Sequence, residues 1–516
     1  MKEEIELKLA LTPKSLKRIR SHPLLRTLAS GRRAQRQELQ SSYFDTPDRS
    51  LRAQGIALRV RKKGNKLIQT VKAPLASAYS GLQHVQEFET EATSALPDLS
   101  LLPAGDVRET LEALTLASPL ECLFETRIVR HVLPVRLIES EIEIAFDEGK
   151  VVAGDRELAI CEVELELLSG SAQYLLQLGM AIGEQVPFRL ELRSKAARGY
   201  LLAEETVLPA VLSDGLAMPK QTTAGEAFEI IARNCLGQIR GNEAAFRSGN
   251  RKPEVVHQLR VGVRRLRAAV SIFEDLIADG VLVQLKEELS WLQNALGPAR
   301  DWDVFRDETL APILHRMPDE PCLQRLGVAA ERFNAEAYEQ AEESLDSHRY
   351  AMLLLRLDYW LLSGSWRSLL EAGEGPGYLA DGPAVAFSKI GLAKRARQVL
   401  KRGKERDEEV EESLHELRIS GKKLRYALEF FRAFMKKEDA KAAIRLTKEL
   451  QDCLGSLNDA AVSKGLLESL ATRFPDEVEP RALGIVLGWQ ARRVEDDLGH
   501  LQGVWGHAKE RLKQLK

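Results

Sequence analysis

Near the start of the chain, Glu4, Glu6 and Lys8 alternate with Ile5, Leu7 and Leu9. Residues i, i+2 and i+4 of a strand share a face, so two carboxylates and an ammonium project together. Other runs repeat the pattern. Arg59 and Arg61 share a face, as do Thr70 and Lys72, then Glu87, Glu89 and Glu91. Glu141, Glu143 and Asp147 form another set, and Glu162, Glu164 and Glu166 a further one. A single strand of this kind reads as a solvated sheet face. Here, however, the strands sort by sign. If the sheet closes with these faces inward, acids and bases meet in one lumen. Charges buried at that density are costly unless they hold an ion. Carboxylates suit Mg²⁺ or Mn²⁺, and Arg and Lys suit phosphate oxygens, so the expected ligand is a metal–polyphosphate.

A second set of charges follows a helical period. His257, Arg260, Arg264 and Arg267 fall at i, i+3, i+7 and i+10, with Arg265 beside them. Leu259, Val263, Leu266 and Val270 form the opposing apolar face. His415, Arg418, Lys422 and Arg425, flanked by Lys423, repeat the stripe 158 residues later (415 minus 257). Leu292-Gln293, Leu296-Gly297 and Arg300-Asp301 recur in the same register as Leu450-Gln451, Leu454-Gly455 and Asn458-Asp459. Two matched blocks in one register predict a duplicated helical bundle. One basic stripe alone reads as a solvated face. Two copies point to a shared polyanion, because cations one helical turn apart match a phosphate chain. Zinc ligation by the two histidines lacks Cys or carboxylate partners at ligand spacing.

The elements that carry these residues divide the chain. Period-two runs at 5–9, 56–61, 67–72, 87–91, 141–144 and 161–167 predict strands. Helices are expected near 13–29, 106–117 and 171–184. Residues 1–203 therefore read as a mainly β domain, 204–222 as a linker with Pro209 and Pro219, and 223–516 as all-α. The helical repeats are placed at about 223–372 and 384–512, separated by a loop at Gly373–Gly377 and Asp381-Gly382-Pro383.

Composition bounds the function. The chain has 516 residues, 44% hydrophobic, enough for several cores and against disorder throughout. Lys+Arg number 74 and Asp+Glu 76, which argues against a globally basic nucleic-acid binder. The five cysteines are scattered and none forms a C-x-x-C pair, which favours a reducing, cytoplasmic setting. The N-terminus shows no apolar signal region, and no run is long enough to span a membrane. Walker A, kinase and G-x-S-x-G motifs are absent.

Glu4-x-Glu6-x-Lys8 resembles the E-x-E-x-K signature of the CYTH superfamily, the triphosphate tunnel metalloenzymes. Tyr43-Phe44-Asp45-Thr46-Pro47-Asp48, Leu58–Arg61, Gln69–Lys72, Ile142–Asp147, Cys161–Gly170 and Ser194–Tyr200 follow in the family's order. The resemblance covers about 1–202. It implies an eight-stranded antiparallel tunnel barrel that holds triphosphate beside a divalent metal. It implies Glu4, Glu6, Glu162 and Glu164 as metal-side carboxylates, with Glu4, Glu6 and Lys8 at the catalytic centre. It implies Lys8, Arg59, Arg61, Lys72, Arg130 and Lys195 as phosphate ligands, with Glu87 on the substrate side. Glu143 and Asp147 are candidates for metal binding or water positioning. Val85 stands where the family often has Arg.

The helical half resembles the CHAD domain, the conserved histidine α-helical domain, over about 223–512. That implies two four-helix-like halves and binding of inorganic polyphosphate by His257, Arg260, Arg264, Arg265, Arg267, His415, Arg418, Lys422, Lys423 and Arg425. The fold expected is thus multidomain α+β, a β tunnel barrel followed by a duplicated helical bundle. The activity expected is metal-dependent hydrolysis of inorganic tripolyphosphate to diphosphate and phosphate, with long-chain polyphosphate held by the helices. Polyphosphate granules are a compatible location. Thiamine triphosphatase, class IV adenylate cyclase, RNA 5′-triphosphatase and a non-enzymatic polyphosphate binder remain alternatives. No aromatic platform for nucleic acid interleaves the stripes. The oligomeric state is left open.

Overall fold

The computed structural model describes residues 2–75, 81–116, 118–213, 215–277, 280–370, 380–407 and 411–515. The expected loop at Gly373–Gly377 lies outside them. The chain forms two compact units. One comprises Met1–Pro209, Ala244–Asn250 and Leu345–Ser363, and the other Ala210–Glu243, Arg251–Ser344 and Gly364–Lys516. No helix among the described residues is long and apolar enough to cross a membrane.

The first unit is built on eight strands: β1 (Lys2–Ala10), β2 (Gln35–Asp45), β3 (Ala57–Lys63), β4 (Lys66–Pro74), β5 (Gln83–Ala92), β6 (Glu121–Leu137), β7 (Ser140–Ala153) and β8 (Arg156–Ser169). Their order is β5-β4-β3-β2-β6-β7-β8-β1, and a β5–β1 pairing closes the barrel. Neighbours are antiparallel throughout. Closure leaves these strands without an open edge.

The barrel turns its apolar faces outward onto helices. Leu58, Val60 and Val71 pack with Leu102 and Leu111 outside β3 and β4. Leu7 and Leu9 of β1 are buried. A Cβ added at Gly179, in the helix Gln173–Gly183, would lie 2.8 Å from Leu7 and 3.5 Å from Leu355. Glycine therefore lets that helix approach both β1 and the helix His348–Ser363. Gln177 and Tyr359 add a hydrogen bond of 2.7 Å. Segment Leu345–Ser363 thus groups with the barrel, although it lies within the helical half of the sequence.

The helix Lys195–Glu204 packs at one end of the barrel, against β6, β7 and β8. Ser194 caps it, accepting a hydrogen bond from the Ala197 N–H at 3.0 Å. Asp45, fully buried at the end of β2, anchors it. Its carboxylate accepts from the Tyr200 hydroxyl at 2.8 Å and from the N–H groups of Thr46, Leu51 and Arg52 at 2.7–3.0 Å. Asp45 therefore ties the turn after β2 to the helix bearing Lys195.

The second unit contains the helical duplication. Helices Ala224–Arg247, Pro253–Ile272, Val281–Ala295, Gly297–Val304 and Pro321–Asp346 are followed in the same order by Ala384–Glu405, Glu411–Phe430, Lys437–Cys453, Gly455–Arg473 and Pro480–Lys513. Among the described residues, five helices thus recur in order in each half. Thr223 and Pro383, preceding the two first helices, form a β-bridge. Leu259, Val263, Leu266 and Val270 are buried, as their period requires.

Asp45→Ala leaves the Tyr200 hydroxyl and three backbone donors short of an acceptor. It is expected to destabilise the barrel by about 2–3 kcal/mol, read by denaturant unfolding of the full chain.

Candidate functional site

The barrel encloses a cavity of about 350 Å³. Glu4, Glu6 and Lys8 from β1, Arg59 and Arg61 from β3, and Lys72 from β4 line it. Glu87 from β5, Arg130 from β6, Glu143 from β7, Glu164 from β8 and Lys195 complete the wall. Strand register explains the convergence: Lys8 lies opposite Glu164, Glu6 opposite both Glu166 and Gln83, and Glu4 opposite Val85. Glu4, Glu6 and Lys8 are each no more than 5% exposed.

At the end held by the helix Lys195–Glu204, the charges are mutually satisfied. The Lys195 ammonium contacts Asp147 at 2.7 Å, Glu162 at 2.5 Å and Glu164 at 2.7 Å. Arg130 grips Asp147 through two bonds of 2.6 and 2.7 Å and also pairs with Glu164. Arg198 donates to both oxygens of Glu162, at 2.7 and 3.0 Å. Burial works against the charges of Glu164, Lys195 and Arg130, but their partners outweigh it. The carboxyl of Glu164 is held well below the usual range, and Lys195 and Arg130 are pushed up.

The rest of the cavity is less balanced. Lys8 pairs with Glu6 and Gln83, and Lys72 pairs with Glu4 and lies 3.3 Å from Glu87. Arg59 lies 3.6 Å from Glu87. Yet burial, reinforced by Glu164 and Glu4, pushes the Glu6 carboxyl up to about 7 despite Lys8. Burial and the neighbouring Arg59 and Arg130 push Arg61 down to about 10. Among the described residues, Arg61 donates a hydrogen bond to the Ser41 hydroxyl, at 3.1 Å. Glu6 is thus crowded by two carboxylates beside the Lys8 ammonium, and Arg61 by two guanidiniums.

Among the expected barrel residues, Glu162 and Asp147 alone do not line the cavity. Both are fully buried behind Lys195, engaged by Arg198, Arg130 and Lys195. Carboxylate oxygens of Asp147, Glu162 and Glu164 lie within 4.8 Å of one another, the spacing of a metal site. The Lys195 ammonium bonds all three and occupies their common charge. Glu4, Glu6 and Glu164 remain the expected carboxylates on the cavity wall. Glu166, Tyr43 and Gln83 also line it and had no assigned role. Glu166 continues the alternation of β8 and was legible on that basis. Tyr43 stood in a quoted motif, whereas Gln83 carried no signal. Val85 presents an apolar wall where Arg was expected.

In the second unit the two basic stripes converge. Arg264 is an electrostatic neighbour of Arg260 and His257 in its own half, and of Arg418 and Lys422 in the other. Burial and this crowding push Lys422 down to about 7, His257 to about 4 and Arg260 to about 10. Asp301 and Asp459, from the second repeated block, are electrostatic neighbours among these cations, and burial raises both carboxyls. Arg300 pairs with Glu308 at 3.0 Å.

Arg265 does not join this surface. It is 3% exposed, donates to Gln238 at 2.6 Å and Asn234 at 2.8 Å, and stacks over Phe430. The position adjoining the stripe faces the bundle interior in the first half, so Arg265 is a packing residue. Lys423, its equivalent, is exposed beside Arg267 and Arg395. Arg425 is half-buried against Gln451 and Glu429. His415 is exposed one turn from Arg418. Among the described residues, neither His257 nor His415 belongs to a group of three metal-ligating side chains.

Comparison with known proteins agrees with this geometry. The CYTH domain family matches residues 2–200, and the CHAD domain family residues 230–468. A protein of Haemophilus influenzae named inorganic triphosphatase is 31% identical over 242 residues, 45% of this chain and 64% of its own length. The chain thus matches just under two thirds of that relative. An uncharacterised Mycobacterium tuberculosis protein is 27% identical over 219 residues, 41% of this chain and 39% of its own. The crystal structure of the CHAD domain from the plant Ricinus communis is 30% identical with a TM-score of 0.51, covering 58% of this chain and 96% of that one. A closed charged barrel and a duplicated basic bundle, each matched by its own family, make this chain a CYTH–CHAD protein, with the CYTH domain at 2–200 and the CHAD domain at 230–468.

Proposed function

We propose that the barrel hydrolyses inorganic tripolyphosphate to diphosphate and phosphate with Mg²⁺ or Mn²⁺, and that the helical unit binds long-chain inorganic polyphosphate. One observation carries the first part: in one cavity, buried Glu6 is crowded by Glu4 and Glu164 beside the Lys8 ammonium, and Arg61 by Arg59 and Arg130. A metal–triphosphate supplies a cation for the first and an anion for the second. The Haemophilus influenzae relative's name supports the same reaction. All five cysteines are free, which suits a cytoplasmic, reducing setting.

Glu4, Glu6 and Glu164 would hold the divalent ion, with Asp147 and Glu162 orienting Lys195 behind them. Bound there, the ion would neutralise phosphate charge and polarise the terminal phosphorus. Arg59, Arg61, Lys72 and Arg130 grip the chain from several strands, while Lys8 and Lys195 meet its oxygens near the carboxylates. This holds the scissile P–O bond in line and stabilises charge on the leaving diphosphate. A lumen carboxylate orients water toward the terminal phosphorus. The water oxygen forms the new P–O bond, the bridging bond breaks, and diphosphate leaves.

Phosphate release should be measured from tripolyphosphate, ATP, thiamine triphosphate and long-chain polyphosphate side by side. Tripolyphosphate is expected to be the preferred substrate, and chelation of divalent metal to abolish turnover. Glu6→Gln and Arg61→Ala should each reduce kcat/KM by roughly 100-fold or more. Absence of release from the wild type would overturn the enzymatic reading.

The helical unit adds a pH signature. Lys422 must be protonated to pair with phosphate, and in the free protein it releases its proton near pH 7. Polyphosphate binding therefore takes up a proton above pH 7. Affinity should fall as pH rises, by up to about tenfold per unit. Lys422→Arg should flatten that dependence in a titration followed across pH 6–9, and an unchanged slope would remove Lys422 from the site.

A further inference from the structure

The two halves of the helical unit differ beside the helix Gly297–Val304. In the first half, buried Asp303 accepts from Asn334 at 3.0 Å and from the Tyr338 hydroxyl at 2.9 Å. These bonds cover the face of the helix Gly297–Val304. Ala461, which is exposed, stands 158 positions after Asp303. Trp302, buried and stacked on Phe333, has Ala460 as its counterpart.

The cation beside this face also changes. Arg260 donates to the Gln293 carbonyl at 2.7 Å and lies 3.3 Å from where a Cβ of Gly297 would stand. At the matching Gly455 nothing lies within 4 Å. Arg418 instead donates to the Asn458 side-chain oxygen at 2.7 Å. A hollow of about 230 Å³ results, walled by Leu414, Leu454, Leu457 and Val462, with His415 and Arg418 beside them. The Arg418 Nε is buried with no hydrogen-bond partner. No carboxylate among the described residues forms an ion pair with this guanidinium.

A bare phosphate chain makes no use of leucine walls, and a neutral apolar ligand leaves the Arg418 guanidinium without an ion pair and its Nε without an acceptor. The combination fits an anion that carries a compact apolar group, and the volume accommodates a ring of nucleobase size. We propose that this hollow binds an organic phosphate of nucleotide type, its phosphate on Arg418 and its ring against the leucines. Because Arg418 also belongs to the row assigned to polyphosphate, the inference deepens that reading. It makes the second half the one that distinguishes an organic phosphate from an inorganic chain.

Calorimetric titration of the full chain with adenosine 5′-monophosphate, ribose 5-phosphate and inorganic phosphate tests it. The adenosine compound should bind at least about tenfold tighter than ribose 5-phosphate, reflecting burial of its ring. Ala461→Phe fills the hollow from an exposed position and should erase that preference. Long-chain polyphosphate binding and phosphate release from tripolyphosphate should be unchanged in that variant. Ala461→Leu provides a milder filling should the larger ring disturb folding, and should act in the same direction. Equal affinity for the three probes, or an undiminished preference in both variants, would overturn the proposal. If adenosine monophosphate follows the expected pattern while long-chain polyphosphate fails to bind, the hollow stands and the polyphosphate assignment falls.

Discussion

A charge withdrawn from water must be met by opposite charge, and that constraint shapes the barrel. Its lumen buries carboxylates, ammoniums and guanidiniums where an ordinary small barrel places apolar side chains. Desolvation alone would cost several kcal/mol per ion. At one end, the chain meets that cost by itself. Lys195 bonds three carboxylates, and Arg130 and Arg198 share the same acids. Such a network fixes the position of every member, because displacing one leaves another buried and uncompensated. The helix carrying Lys195 is held in turn by Asp45 through Tyr200, so an acid outside the lumen sets the position of a base inside it.

The remainder of the lumen departs from that balance. Glu6 titrates near neutrality although Lys8 is beside it, because Glu4 and Glu164 crowd it in a buried setting. Arg61 is crowded by Arg59 and Arg130 and, among the described residues, hydrogen-bonds to a serine hydroxyl. Folding without ligand leaves both groups disfavoured, and a ligand carrying both signs relieves both. The same asymmetry recurs in the helical unit with one sign dominant. Lys422 and Arg264 lie among other cations, and Asp301 and Asp459 offset only part of the charge. In each unit the binding surface is the part of the charge pattern that the protein does not neutralise.

Much of this was legible from period and sign. Period-two runs exposed six strands and placed their charges on single faces, and the strands' sorting by sign pointed inward rather than to solvent. Strands β2 and β6 escaped the pattern. Gln35–Asp45 carries polar residues on both faces, and Glu121–Leu137 is a long strand with Pro134 and apolar residues at both parities. They pair side by side, so their recognition came from the family resemblance and not from alternation. Alternation also cannot rank depth along a strand. Glu162, Glu164 and Glu166 share a face, yet the first is sealed behind Lys195 and Arg198 while the other two reach the cavity. The internal repeat revealed the duplication but not its divergence. Arg265 and Lys423 occupy equivalent positions, and only the neighbouring helix decides which is buried.

That divergence follows from what duplication permits. Two halves that both supply cations to one row need only preserve the row between them, and the faces behind it are free to change separately. The first half keeps a closed polar contact at Asp303, Asn334 and Tyr338, where loss of one partner would strand the others. The second half has Ala461 at the position of Asp303, so no buried acid requires covering there. Small residues then leave space instead of an unsatisfied group. A cavity with leucine walls is tolerable in a protein surface only at the expense of exposed apolar area. Here that area adjoins a guanidinium that feels Asp459 but forms no ion pair among the described residues, and whose Nε has no hydrogen-bond partner. Packing alone would favour filling such a space with a larger side chain, and its persistence beside an unpaired cation is what an amphiphilic anion would require.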